Sequence, residues 1–295
     1  MGIGKRSIGE KIFDIFNYTL LLLFAITALY PFINMLSLSL SSSASASQHG
    51  LKLFPTEFSL QGYKAVFDNP IIWKGYLNTI IRTVCGTILN VLFTVMCAYP
   101  LSKRYLPNRN FYTLFIVFTM FFSGGLIPTY LLIKGIGLLD NPLVLILPGL
   151  INAFTMIIVR NYFMSLPVEL EESAKIDGAN DFRVLFSVIL PISTPIIATI
   201  SLWYAVAHWN AWFDALLYIT TPDKMVLQTI LRKIIIEGSE QFSNFQSFDK
   251  TVEKSVTPEI IKAATVMVAT IPILCVYPFI QKYFVKGIMI GSLKG

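Results

Sequence analysis

Charge is what this chain has least of. Charged residues make up 14% of its 295 positions against a hydrophobic share of 55%, where an ordinary soluble domain carries about 25% charge. That composition excludes a soluble globular domain and points to a polytopic membrane protein. Acids number only 17, with two histidines and three cysteines. Titratable groups at membrane depth are costly, so proton-driven carriers and intramembrane enzymes betray themselves by keeping them there. None of the 17 acids and neither histidine falls inside the six apolar windows defined below, so neither class fits. A phosphate loop of the Gly-x-x-x-x-Gly-Lys-Ser/Thr type is missing, as are a paired-Cys metal site and a His-Glu-x-x-His motif. The chain is therefore expected to have no catalytic residues of its own, to bind no cofactor, and to take any driving force for transport from elsewhere. Cys85, Cys97 and Cys275 all lie in apolar windows, where a thiol is expected to act as a small packing residue outside any disulfide framework.

What the chain has is length of apolar sequence. About 20 such residues cross a hydrocarbon core of about 30 Å, and six windows meet or approach that: Ile15 to Leu36, Leu77 to Tyr99, Phe111 to Ile133, Pro142 to Val159, Val184 to Ala207 and Ala263 to Ile280. The expected fold is all-α, with six transmembrane helices in a domain spanning 15–280. Basic residues near span ends are retained in the cytoplasm. With both termini inside, residues 1–14, 100–110, 160–183 and 281–295 are cytoplasmic and carry 12 of the 23 Lys and Arg in 64 residues. The remaining basic residues are diluted mainly over two long outer loops, 37–76 and 208–262, so density favours that orientation. Lys5 and Arg6, an apolar run and then SSSASASQHG imitate a secretory signal. The run is longer than a signal core and contains Pro31, so it reads as a retained first span followed by a solvated exit loop.

In the first outer loop, Ser59 is placed to cap a short surface helix on which Leu60, Tyr63, Val66 and Phe67 recur at helical spacing. Trp73 and Tyr76 then read as interface aromatics. Arg82 is the one charged residue inside a window. Its long stem allows it to snorkel as an interface anchor, and a substrate or partner contact is the alternative. Gly124 and Gly125 in FSGGLIP suit close helix packing or a bend before Pro128. Prolines 31, 128, 148, 191, 195 and 272, with polar inserts at Asn90, Thr94, Asn152, Thr155, Ser193 and Thr194, fit either a polar solute path or plain packing.

Between two apolar stretches lies ELEESAKIDGANDF, residues 169 to 182, holding five of the 17 acids. Pro167 suits a first helical turn. Glu169, Glu171 and Glu172 follow where carboxylates meet the positive end of the helix dipole. Leu170, Ala174 and Asp177 share a face, with Ser173 beside them. Gly178 is able to take the positive φ that ends a helix, and a second helix is expected from Asn180 or Asp181 into the fifth span. Ser173, Ala174, Gly178 and Ala179 leave a low surface that another protein can approach, which favours docking over a merely solvated loop.

Those residues carry a resemblance. Glu172-Ser173-Ala174-x-x-Asp177-Gly178-Ala179, followed by Ile189-Leu190-Pro191, resembles the cytoplasmic signature Glu-Ala-Ala-x-x-x-Gly-x(9)-I-x-L-P of ABC importer permeases; Ser173 stands for the usual first Ala. The Asp-Gly-Ala extension is similar to the carbohydrate-uptake branch, that of the smaller permease subunit of the maltose transporter. Asn78-Thr79, Trp209-Asn210-x-Trp212-Phe213 and Gln281 to Gly287 also look like that branch. FSGGLIPTYLLIKGIGLLDN is similar to complex-oligosaccharide permeases paired with lipoprotein binding proteins. The resemblance implies a type I ABC importer permease fold and import of a sugar or oligosaccharide by alternating access. It further implies a heterodimer with a second permease, two cytoplasmic ATPase subunits that hold ATP and Mg, and an extracellular solute-binding protein, with no nucleic-acid partner. Glu172, Ser173, Ala174, Asp177, Gly178 and Ala179 would couple to an ATPase, and Lys286, Gly287 and Lys294 would reach toward it. Trp209, Asn210, Trp212 and Phe213 would meet the binding protein. A permease for another solute, a lipid-linked glycosyl transferase and a passive scaffold are the alternatives.

Overall fold

The structure, a computed structural model, describes residues 7–46, 53–55, 57–243 and 256–292. In chain order the helices are α1 (Ile8–Ser39), α2 (Ser43–Ala46), α3 (Gln61–Phe67), α4 (Pro70–Ser102), α5 (Arg109–Phe121) and α6 (Leu126–Gly135). After 3-10 turns at Pro142–Leu145 and Leu147–Gly149 come α7 (Ala153–Met164) and α8 (Glu169–Ile176). Next, α9 (Asp181–Val184) continues through a π turn, Leu185–Ile189, into α10 (Leu190–Ile192). The last four are α11 (Thr194–Asn210), α12 (Phe213–Tyr218), α13 (Leu227–Ser243) and α14 (Pro258–Ser292). Among the described residues the one β contact is an isolated bridge between Ser41 and Phe58.

The six apolar windows correspond to three single helices and three broken ones. α1, α4 and the Pro258–Cys275 part of α14 are each long and apolar enough to cross a bilayer. The other three windows pass only as bent pairs: α5 with α6 at 112°, Pro142–Gly149 with α7 at 51°, and Asp181–Ile192 with α11 at 88°. Each break has a local cause. Between α5 and α6 the backbone turns at Gly125, whose φ of +85° suits a residue without Cβ; this is the bend expected before Pro128. In the fourth window Asn152 accepts a hydrogen bond from the Thr155 amide at 3.0 Å and starts α7 anew. At Ser193 the flanking Pro191 and Pro195 each lack an amide donor, so the ladder cannot run through. Pro31 and Pro100, by contrast, sit inside unbroken α1 and α4.

The loops hold more helix than expected. Ser59 does accept from the Gln61 amide at 3.3 Å, but the buried residues of α3 are Gly62, Ala65 and Val66, while Leu60 and Phe67 stay exposed. α3 therefore packs on protein rather than lying as a free surface helix: a Cβ built on Gly62 would come 2.5 Å from Ile260 Cγ2 on α14. Within the expected loop 208–262, α12, α13 and the start of α14 are ordered. Beyond Ile280, in the segment 281–295 expected as a cytoplasmic C-terminal tail, α14 continues to Ser292.

Two compact units make up the chain: residues 1–70 with 233–270, and residues 71–232 with 271–295. In the first, α1 is capped by Ser7, whose hydroxyl accepts from Glu10 N while the Glu10 carboxylate accepts from Ser7 N. Ser39 at its far end bonds the Tyr63 hydroxyl at 2.9 Å. The second unit has a buried core built from Val95 and Ala98 of α4, Met156 and Val159 of α7, and Val184 and Ile200 further on.

Candidate functional site

The acidic segment folds as its residues dictate. α8 carries Glu169, Glu171 and Glu172 in its first turn. Pro167 lies one residue before the Val168 N-cap and so outside the helix, a correction to its expected place in the first turn. The end of α8 is a Schellman motif: Gly178 N donates to Lys175 O at 3.0 Å and Ala179 N to Ala174 O at 2.9 Å, with Gly178 at φ +79°. Asn180 then caps the next helix by accepting from Arg183 N at 2.9 Å. Glu172, Ser173, Asp177 and Gly178 are exposed, and Ala174 and Ala179 are half-buried against the core. Ile176 is 86% exposed, so an apolar side chain stands out from a polar helix.

One acid of α8 points the other way. Glu171 is buried and forms an ion pair with Lys103, just past the end of α4. The Lys103 ammonium also lies 4.1 Å from the centroid of the Tyr99 ring, a cation–π contact. Beside it Lys175 bonds the Tyr105 hydroxyl at 3.3 Å and pairs with Asp181 at 3.1 Å. The Asp181 carboxylate first, and Tyr105 second, raise the Lys175 pKa above the ordinary lysine value.

Behind this end of the bundle, α4 is built with apolar residues outward and polar ones inward. Thr79, Arg82, Gly86, Asn90 and Thr94 recur every three or four residues on its buried side, whereas Leu77, Ile81, Val84 and Ile88 are exposed. Every polar member has a partner. Thr79 accepts from Leu227 N at 2.8 Å. Asn90 donates to Gly149 O at 2.7 Å and meets His208 Nε2 at 3.0 Å. Thr94 bonds the Tyr204 hydroxyl at 2.8 Å. Arg82 pairs with Asp214, with a second contact at 3.2 Å, and donates to Ala211 O and Leu145 O. Such interhelical bonds are the glue of a membrane bundle, where apolar surface alone gives little drive to associate.

The seam corrects the reading of Arg82 as a snorkelling anchor. At 5% exposure it is buried, because a carboxylate 132 residues away neutralises it, and nothing in its local sequence signals that partner. Asn90 and Thr94, weighed as path-lining groups, are likewise spent on internal bonds. Of the cysteines only Cys97 packs against the core; Cys85 and Cys275 are exposed in this chain.

The aromatic run after the fifth span separates in the same way. Trp209 is buried and meets Tyr76 edge to face at 5.8 Å. Trp212 is half-buried, with the Arg232 guanidinium 3.8 Å from its ring centroid. Asn210 and Phe213 are the exposed members. Nearby, Asp140 holds the turn around Thr221, accepting from Thr220 N at 3.0 Å, Thr221 N at 2.9 Å, Thr221 Oγ1 at 2.7 Å and Lys224 Nζ at 2.7 Å. Lys224 foremost, then Thr221, hold its carboxyl well below the usual range. Lys286 and Gly287 fall in the α14 backbone, and Lys294 lies outside the described residues.

Comparison with known proteins bears directly on this architecture. A polygalacturonan/rhamnogalacturonan transport system permease protein of Bacillus subtilis, YtcP, is 44% identical over 287 residues, covering 97% of this chain and 99% of that one. Protein LplC of the same organism is 44% identical over 286 residues, covering 97% and 96%. A chain from the crystal structure of a bacterial ABC transporter involved in the import of the acidic polysaccharide alginate superposes with a TM-score of 0.89 at 37% identity, covering 95% of this chain and 99% of that chain. Residues 71–290 match the family described as binding-protein-dependent transport system inner membrane component. With that match spanning most of its length, and relatives aligned nearly end to end, the chain belongs to this family of membrane transport components and is a permease rather than an enzyme.

Proposed function

We propose that this chain is one of two membrane-spanning subunits of an ATP-driven importer for an acidic oligosaccharide, oriented with both termini in the cytoplasm. The observation that carries the coupling role is α8. It is a short, Schellman-capped helix with Glu172, Ser173, Ile176 and Asp177 turned outward, while its inner side is fastened to α4. That is the shape of a handle: rigid at its base, open to a partner along its length. Two cytoplasmic ATPase subunits, carrying ATP and Mg, would grip α8 and its counterpart on a second permease. A solute-binding protein would deliver sugar on the opposite side, where Asn210 and Phe213 are the exposed members of the aromatic run. An acidic substrate is favoured because two relatives similar over nearly the whole chain are named for polygalacturonan and for the acidic polysaccharide alginate.

Switching then needs no chemistry in this chain. Each ligand binds one access state better than the other, and that difference moves the equilibrium. The test is uptake into proteoliposomes holding both permeases, the ATPase pair and the binding protein. Uronate oligosaccharides should enter only with ATP, and neutral oligosaccharides of equal length should not compete. Gly178→Val, which puts a β-branched residue at φ +79°, should leave the subunit inserted and cut uptake sharply. Undiminished uptake by that variant would count against α8 as the handle.

A further inference from the structure

Glu171 and Lys103 are buried charges beside the docking surface that the docking surface does not use. Both are 8% exposed, and both belong to the region where α8 meets the end of α4. A buried ion pair is weak evidence for stability, since desolvation consumes most of its Coulombic gain; what it does supply is a fixed geometry. Here the ammonium is held on one side by the Glu171 carboxylate and on another by the Tyr99 ring face. Tyr99 itself is locked edge to face on Phe163 of α7, with centroids 6.5 Å apart.

Little else fastens α8. Its apolar contact with the core is limited to the half-buried Ala174, with Ala179 just beyond it, while Leu170 and Ile176 face away. The lysine stem also borders a cavity of about 260 Å3, lined by Met96, Pro100, Leu106, Phe182 and Leu185, so α4 and the helix after α8 are not closely packed at this level. The other polar ties, Lys175 to Tyr105 and to Asp181, are exposed, and exposed ties of that kind contribute little.

We infer that the Lys103–Glu171 pair, seated on Tyr99, is the mechanical attachment through which motion of α8 is passed to α4. Lys103 and Glu171 are positioning residues: they touch neither substrate nor nucleotide, and they set whether a pull on α8 moves the spans. This rests on the coupling role proposed above. Without the attachment, the ATPase pair would still hold α8 and hydrolyse ATP, but α8 would pivot about its Gly178 end and part of each stroke would be lost.

The test compares Glu171→Gln, Lys103→Met and the swapped pair Lys103→Glu with Glu171→Lys in the full reconstituted complex. Sugar transported per ATP hydrolysed should fall by about tenfold in each single variant, as expected when one buried charge loses its partner. The swap should recover to within about threefold of the native ratio, short of full recovery because a cation then sits at the positive end of α8. Hydrogen exchange across Glu169–Ile176 reads the attachment with no substrate present: faster in both single variants, slowed again in the swap. A native ratio in the single variants overturns the inference, and so does a swap no better than either of them in ratio, assembly or exchange. Failure of the native complex to transport any uronate oligosaccharide would instead strike the substrate assignment, and the exchange result would still decide the attachment.

Discussion

Gly86→Ala is the sharpest perturbation that the inward polar side of α4 offers. A Cβ at residue 86 would stand 2.5, 2.7 and 2.8 Å from Nε2, Cε1 and Cδ2 of His208. The imidazole is a rigid plane, so the three short contacts cannot be relieved by turning a flexible side-chain end. Nor is the ring free to slide. It is 8% exposed and tied to Asn90 at 3.0 Å, and Asn90 is tied in turn to Gly149 O. Either α4 and α11 part, at an overpacking cost of about 1–3 kcal/mol, or the ring leaves the Asn90 side-chain oxygen buried and unpaired, at about 1–3 kcal/mol. We expect a net loss of about 1–3 kcal/mol, seen as a drop of roughly 2–5 °C in apparent melting. Temperature-resolved size exclusion of detergent-solubilised protein measures it. His208→Ala removes the obstacle, so the double variant should lose at least about 1 kcal/mol less than the sum of the singles. A Gly86→Ala protein that melts with the native one, or additive losses, would refute the close approach.

Two further outcomes follow from the buried and half-buried charges. Removing one member of the Arg82–Asp214 pair, by Arg82→Met or Asp214→Leu, should cost about 3–5 kcal/mol, whereas removing both should cost markedly less than either alone; yield of folded protein and apparent melting report it, and a double variant worse than both singles sinks the idea. Asp140 has a depressed pKa in the folded state, so its contribution is present above the ordinary aspartate value and is lost only as pH falls through the lower folded one. The melting difference between native protein and Asp140→Asn should accordingly stay constant from pH 8 to about pH 5 and shrink below about pH 4; a difference that does not shrink below about pH 4 would show that Lys224 does not depress the carboxyl's pKa.

The sequence made the helical class, the number of apolar windows and the shape of α8 legible because those depend on neighbours a few residues apart. Gly178 and Asn180 declare a stop and a start through backbone conformation alone, and the structure has both. Gly125 and the Pro191–Pro195 pair likewise marked real breaks. What stayed hidden depends on partners far along the chain. Arg82 read as a snorkelling anchor because Asp214 lies beyond three intervening spans. Glu171 looked like one more first-turn acid until Lys103 stood opposite it. Trp209 read as exposed because a run of aromatics does not say which ring faces inward. His208 fell one residue outside its window, and only α11 running on to Asn210 brings it under Gly86.

Arg82 and Lys103 stand twenty-one residues apart on and just beyond α4, which at 1.5 Å per residue is about 31 Å. That is close to the thickness of a bilayer's hydrocarbon core, about 30 Å. A helix with ordinary apolar flanks answers a thicker or thinner membrane by tilting or by sliding its ends. α4 has given up much of that freedom, because Arg82 within it and Lys103 just past its end are each tied by charge to another part of the same subunit. Its lipid-facing apolar band is therefore ruled off at a set height, and a mismatched membrane must deform around the protein.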